Sequence, residues 1–222
     1  MLNKLILYAL FFYSINNYIE FFTWYLGDGS KFTHDALQLS IASFLPMFLF
    51  IFLTHFLYYP KRNDDHALVI SFPPLILLFS INLGFLISTL NLYYFQLYTL
   101  SDFFNLLRST KIGILFIIIA LIIFILSINE FNKVNEDPVP TSSSKLIIQN
   151  GIYRYTRNPM YLAMLILQLG IGMSLSMIHI ILLMPLTFII LNYYVILPEE
   201  KYLANKFQNR YLKYMNSVRR WI

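Results

Sequence analysis

Two short runs carry most of the candidate chemistry in this chain. The first, Gly151–Tyr161, reads Gly-Ile-Tyr-Arg-Tyr-Thr-Arg-Asn-Pro-Met-Tyr and leads directly into an apolar stretch. The second is the acidic pair Glu199-Glu200, which follows Pro198. Asn158 then Pro159 is a helix-opening signal, because the Asn side chain can cap free amides and Pro at the first helical position loses no needed hydrogen bond. A helix starting there turns a partly positive amide end toward the preceding residues, which suits a carboxylate or phosphate. Read only as residue types, the Tyr and Arg cluster is equally consistent with an ordinary head-group belt.

The elements that must position these residues are membrane spans. Hydrophobic residues make up 58% of the 222 and charged residues 12%. Several apolar runs reach the roughly 20 residues that cross a bilayer core. The reading is an all-α polytopic membrane protein with about six spans, near Leu5–Tyr25, Ser40–Tyr59, Ala67–Leu92, Ile112–Asn129, Met160–Met177 and Ile178–Leu197. The first is longer than a signal-peptide core and is read as a retained span. With no cysteine, disulfides and thiolate chemistry are excluded. The net charge of +5 gathers at span ends, where it contacts phospholipid head groups, and is not read as nucleic-acid binding.

Six spans place both termini on one side. That side collects Lys4, Lys61, Arg62, Lys133, Lys145, Arg154, Arg157, Lys201, Lys206, Arg210, Lys213, Arg219 and Arg220, against Lys31, Arg108 and Lys111 opposite. The positive-inside rule makes it the cytoplasm. Glu20 is the acidic group within a span, a functional candidate or simply near water. Pro46, Pro73, Pro74 and Pro185 are expected to kink or start helices. Asn82, Asn91 and Gln168 are read as interhelical hydrogen-bonders.

The last two spans form a tight hairpin, with Gly170 and Gly172 expected to let its arms approach. This hairpin returns Glu199-Glu200 to the membrane face that holds Gly151–Tyr161. Beyond it, Leu203, Phe207, Tyr211, Tyr214 and Val218 recur at helical spacing, an amphipathic basic helix read as an anchor or a lid. The Glu130–Asn158 connection is turn-rich at Glu136–Ser144 and ends in the short apolar run Lys145–Ile148.

Other chemistries find little support. There is no Gly-rich phosphate loop or dinucleotide fingerprint. The four histidines are scattered, and Asp64-Asp65-His66 reads as a solvated loop sooner than a divalent-ion site. What the residues suit is a zwitterionic sulfonium nucleoside: carboxylates for its ammonium or ribose hydroxyls, a helix amino end or arginine for its carboxylate, aromatic faces for adenine and cation.

At these residues the chain resembles the isoprenylcysteine carboxyl methyltransferase and phospholipid methyltransferase superfamily of integral-membrane enzymes. The matching words are Ile147-Ile148-Gln149-Asn150-Gly151-Ile152-Tyr153, Arg157-Asn158-Pro159-Met160-Tyr161, Glu199-Glu200-Lys201-Tyr202-Leu203, Phe207-Gln208, Tyr211, Tyr214 and Val218-Arg219-Arg220-Trp221. The resemblance covers about Phe131–Ile222, so residues 1–130 are set apart as N-terminal helices and 131–222 as the methyltransferase core. It implies S-adenosylmethionine as donor, held by Lys145, Leu146, Ile147, Ile148, Tyr153, Asn158, Pro159, Met160, Tyr161, Glu199 and Glu200, with Arg154, Arg157 and Glu199 as catalytic candidates and no metal. It also implies a lipophilic or lipid-modified acceptor, with membrane lipids as partners.

Three departures stand out: Asn158 where many members have His, Gln208 for the usual Gly, and Val195 where prenylcysteine enzymes carry a substrate-contacting Arg. The rival readings are an NADPH-dependent membrane reductase of the steroid-reductase type and a non-enzymatic transporter or assembly protein.

Overall fold

The computed structural model describes residues 2–27, 33–59, 65–95 and 101–222, and among these every regular element is helical. Helices α1 (Leu2–Leu26) and α2 (Thr33–Tyr58) pair, and α3 (Pro73–Leu90) packs on α2. Helix α4 (Thr110–Asn132) lies along α5 (Pro159–Ser174), the most extensive helix pairing in the structure. The chain then returns through α6 (Ile178–Leu182), α7 (Met184–Leu191), a π-turn at Asn192–Ile196 and α8 (Leu197–Phe207), and closes with α9 (Asn209–Ser217).

Among the described residues, five segments are long and apolar enough to cross a bilayer: Leu2–Tyr25, Leu37–Tyr58, Pro73–Leu90, Thr110–Asn132 and Ile178–Phe207. The expected fifth span, α5, is apolar but has only 16 residues, about 24 Å at the helical rise. The expected sixth runs on past Leu197 to Phe207, so Glu199-Glu200 sit within a continuing helical rod. Pro73 and Pro74 open α3, and Pro185 lies in the first turn of α7, where α6 gives way to it.

Contacts sort the two ends of the bundle. At one end Thr110 donates to the Ser174 carbonyl, and Phe21, Phe85, Met177 and Ile180 form one apolar cluster. At the other end the 65–70 segment, the 133–158 connection and α8–α9 come together. Ala67 N–H donates to Pro140 O at 3.3 Å, and the Lys206 ammonium meets Asp65 at 2.6 Å. Pro198 has no N–H for the carbonyl four residues back, and that carbonyl, Tyr194 O, instead accepts from Ile70 N–H at 3.0 Å. Lys31, Lys61 and Arg62, counted in the charge asymmetry, lie outside the described residues.

The polar groups within spans serve packing. Tyr18 donates to Asn82, Asn82 donates to Phe44 O, and Gln168 donates to Ser80 and Ile180 O. Glu20 is exposed and accepts from Asn16 at 2.8 Å. The two glycines divide their work. A Cβ on Gly172 would meet Ile181 of the returning arm at 2.6 Å, whereas one on Gly170 would meet Gly113 O of α4 at 2.8 Å. Gly170 therefore seats α4 against the hairpin and is no part of the closure between its arms.

Candidate active site

A single turn of 3₁₀ helix, Gly151–Arg154, sets the first half of the site. Gly151 adopts φ +57°, and a Cβ there would lie 2.3 Å from the Glu130 carboxylate, so the turn can press against the end of α4 only as glycine. The turn drives Tyr153 inward, where its ring meets Phe131 edge-on at 5.7 Å and its carbonyl accepts from the Tyr214 hydroxyl at 2.7 Å. Burial, then the Glu199 charge, hold the Tyr153 phenol well above its ordinary pKa; burial does the same for Tyr211 and Tyr214.

Helix α5 begins at Pro159 as expected, but Asn158 does not cap it. Its side-chain amide reaches the Arg220 carbonyl at 3.0 Å instead, and its N–H donates to the Thr156 hydroxyl. In the first turn Tyr161 donates to Glu199 Oε2 at 2.7 Å, and the other Glu199 oxygen takes no hydrogen bond from the described residues.

The neighbouring Glu200 has a different setting. It is buried and bound on both sides, by Arg157 at 2.7 Å and Arg220 at 2.6 Å. Arg157 also donates to Met215 O and Val218 O, so all three of its nitrogens are engaged. The hydrogen bond to Glu200 raises Arg220 above the usual guanidinium range. This clamp joins α5, α8 and the chain after α9.

Between these elements lies a cleft lined by Leu146, Ile147, Ile148, Tyr153, Arg157 and Glu199, and also by Phe131, Tyr202, Leu203, Tyr211 and Tyr214. Lys145, Asn158, Pro159, Met160, Tyr161 and Glu200 stand beside it without lining it, and Arg154 is exposed. The apolar wall is fixed by its backbone: Ser144 N–H donates to the Tyr202 hydroxyl at 3.1 Å and Lys145 N–H to Glu136 at 3.2 Å. The cleft is narrow, about 60 Å³.

Several of its parts were not singled out as site residues from sequence. Tyr211 and Tyr214 belong to the stripe read as an anchor or a lid; both are buried, turned onto the site and not onto lipid. Their signal was the spacing, which specifies a buried face without saying what covers it. Asp65, read as part of a solvated loop, is exposed and also accepts from Tyr202 and Lys206. Hydrogen bonds from Lys206, then Ser143, bring its carboxyl down to about 2. Among the described residues there is no cluster of three or more metal-ligating side chains.

Gln208, at φ +47°, keeps the break between α8 and α9 that a glycine would make without strain. Val195, in the position noted for arginine in prenylcysteine enzymes, is fully buried.

Residues 108–210 match the family model for phospholipid methyltransferases, just under half of the chain. The match takes in α4 and residues 131–210 of the 131–222 core, and it ends in the first turn of α9. Comparison with curated proteins and with solved structures gives no match. Over residues 108–210 the chain is thus similar to the phospholipid methyltransferases.

Proposed function

We propose that the chain moves the methyl group of S-adenosylmethionine to a lipophilic acceptor, at the cytoplasmic end of the bundle. The observation that carries this reading is the meeting of Tyr153 and Glu199 in one cleft, although far apart in sequence. The residues present fit the donor's chemistry. Glu199 offers a free carboxylate oxygen for an ammonium or a ribose hydroxyl, and Phe131, Tyr153, Tyr211 and Tyr214 offer aromatic faces to adenine and sulfonium. When bound, the donor supplies an electrophilic methyl group, and in-line displacement then asks mainly for alignment and dryness.

The protein's part is accordingly to orient and to exclude water. Tyr161 fixes the Glu199 carboxylate, while Leu146, Ile147, Ile148 and Leu203 supply apolar wall. Arg157 acts mainly by holding the clamp, since four of its five N–H donors are engaged, and the exposed Arg154 is the arginine more open to an outside anion. A ligand of this size needs roughly 300 Å³ or more. Binding therefore requires α9 and the 136–148 connection to part.

The positive residues gathered at this end support a cytoplasmic site. The acceptor comes in sideways from the bilayer, and phospholipid-like and prenylcysteine-like compounds both satisfy the lipophilic requirement. The test is incubation of purified protein with labelled methyl donor and total membrane lipid extract, with calorimetry of S-adenosylmethionine and NADPH in parallel. Label in a lipid fraction and saturable donor binding are expected; NADPH binding without donor binding, or neither, overturns the reading.

A further inference from the structure

The 65–71 segment that joins α2 to α3 lies outside the family match and contains a buried histidine with an unpaired ring nitrogen. His66 is 8% exposed, and its Nδ1 sits 2.9 Å from the Ala67 carbonyl. A carbonyl can only accept, so Nδ1 carries the hydrogen and the neutral ring presents Nε2 as a bare lone pair. That Nε2 is buried and has no hydrogen-bond partner among the described residues. Buried acceptors are normally satisfied, and one that is not points to a missing donor.

His66 lines a hollow of about 630 Å³ between this segment and α8, with Leu68, Tyr193, Leu197, Pro198 and Lys201 around it. Tyr202 is the wall this hollow shares with the donor cleft. Leu68 and Tyr193 are exposed apolar surface at the edge of the last span, and the exposed Lys201 brings a cation to the rim. A few residues further along the same segment, Ile70 and Ser71 line a second, almost wholly apolar hollow of about 300 Å³ with Phe48, Phe52, Phe79 and Ile190. One short stretch of chain thus borders a polar-ended hollow and a greasy one.

We infer that this is a phospholipid site in which His66 selects the head group. The lipid phosphate meets Lys201, an N–H or O–H of the head group donates to His66 Nε2, and an acyl chain lies along the Phe48–Phe79 hollow. Lipids whose head group has no such hydrogen are disfavoured. This inference does not depend on the donor reading, because none of these contacts is made in the donor cleft.

The test is competition among phosphatidylethanolamine, phosphatidylglycerol and phosphatidylcholine of identical chains for the full-length protein in detergent, read by native mass spectrometry. The wild type is expected to retain the ethanolamine or the glycerol lipid over the choline lipid by about threefold to tenfold, the range of one hydrogen bond. Which of the two is preferred tells an amine from a hydroxyl donor. His66→Gln, which keeps an acceptor near the Nε2 position, retains the preference, and His66→Phe abolishes it. Leu197→Trp, which fills the hollow with His66 intact, lowers retention of all three lipids. Equal retention of the three lipids by the wild type, or a preference that survives His66→Phe, overturns the inference. S-adenosylhomocysteine binding measured on the same samples is the separate readout of the donor cleft; its absence beside an intact lipid preference counts against the donor reading alone.

Discussion

Tyr161 donates its phenolic hydrogen to Glu199 across 2.7 Å, tying the first turn of α5 to the first turn of α8. The next residue, Glu200, is held by two arginines and faces a different set of partners. Adjacent carboxylates thus do separate work, one at the cleft and one in the clamp, and they should separate in experiment.

Glu199→Gln keeps an oxygen for Tyr161 and removes the charge offered to the donor. We expect donor affinity to fall about tenfold or more, since hydrogen bonds to charged groups contribute about 1.5–3 kcal/mol. The thermal midpoint should hardly move. Calorimetry with S-adenosylhomocysteine measures the first and differential scanning fluorimetry the second; unchanged affinity removes Glu199 from the site.

Glu200→Ala should do the reverse at the level of the fold. It leaves Arg157, whose side chain is 8% exposed, as a buried cation without its carboxylate. Breaking a buried pair in this way costs about 3–5 kcal/mol. A large drop in thermal midpoint is expected; a midpoint near that of the wild type would mean the clamp contributes little.

Gln208→Gly should stabilise the protein. A non-glycine residue at φ +47°, ψ −128° carries strain of about 1–3 kcal/mol, partly offset by the greater freedom of glycine in the unfolded chain. A net gain near 1 kcal/mol is expected in denaturant titration, and a loss would contradict the strained turn.

Asp65 gives a pH signature. Its folded carboxyl titrates at about 2, below the ordinary value near 4, so its stabilising effect is present above the unfolded pKa and is lost as pH falls through the folded one. The difference in thermal midpoint between wild type and Asp65→Asn should be full at pH 7 and close between about pH 4 and pH 2. A difference that persists unchanged at pH 2 argues against the Lys206 pairing.

Long apolar runs announced the helices, because runs of about 20 apolar residues are stable as helices that cross a bilayer. The juxtaposition of Tyr153 with Glu199 followed from hairpin topology alone. What stayed illegible was partner choice. Asn158 and Arg157 have the chemistry of a cap and an anion site, but their donors go to carbonyls and a carboxylate supplied by α8 and by the chain around and after α9. Helical spacing gave Tyr211 and Tyr214 a common face, yet protein and lipid both accept an aromatic face, so spacing could not say which. Asp65 is exposed, as a solvated loop residue should be, but its pairing was hidden because Lys206 and Tyr202 are remote in sequence.

The residues after α9 are tied down through main-chain oxygens. Arg157 N–H donates to Arg219 O, and the Thr156 hydroxyl and Asn158 amide both donate to Arg220 O. Every peptide offers such an oxygen, whatever its side chain, so this fastening is indifferent to composition between Met215 and Arg219. It responds to distance along the chain. One residue inserted or deleted in that stretch would move each oxygen out of register, a far heavier injury than exchanging any side chain there.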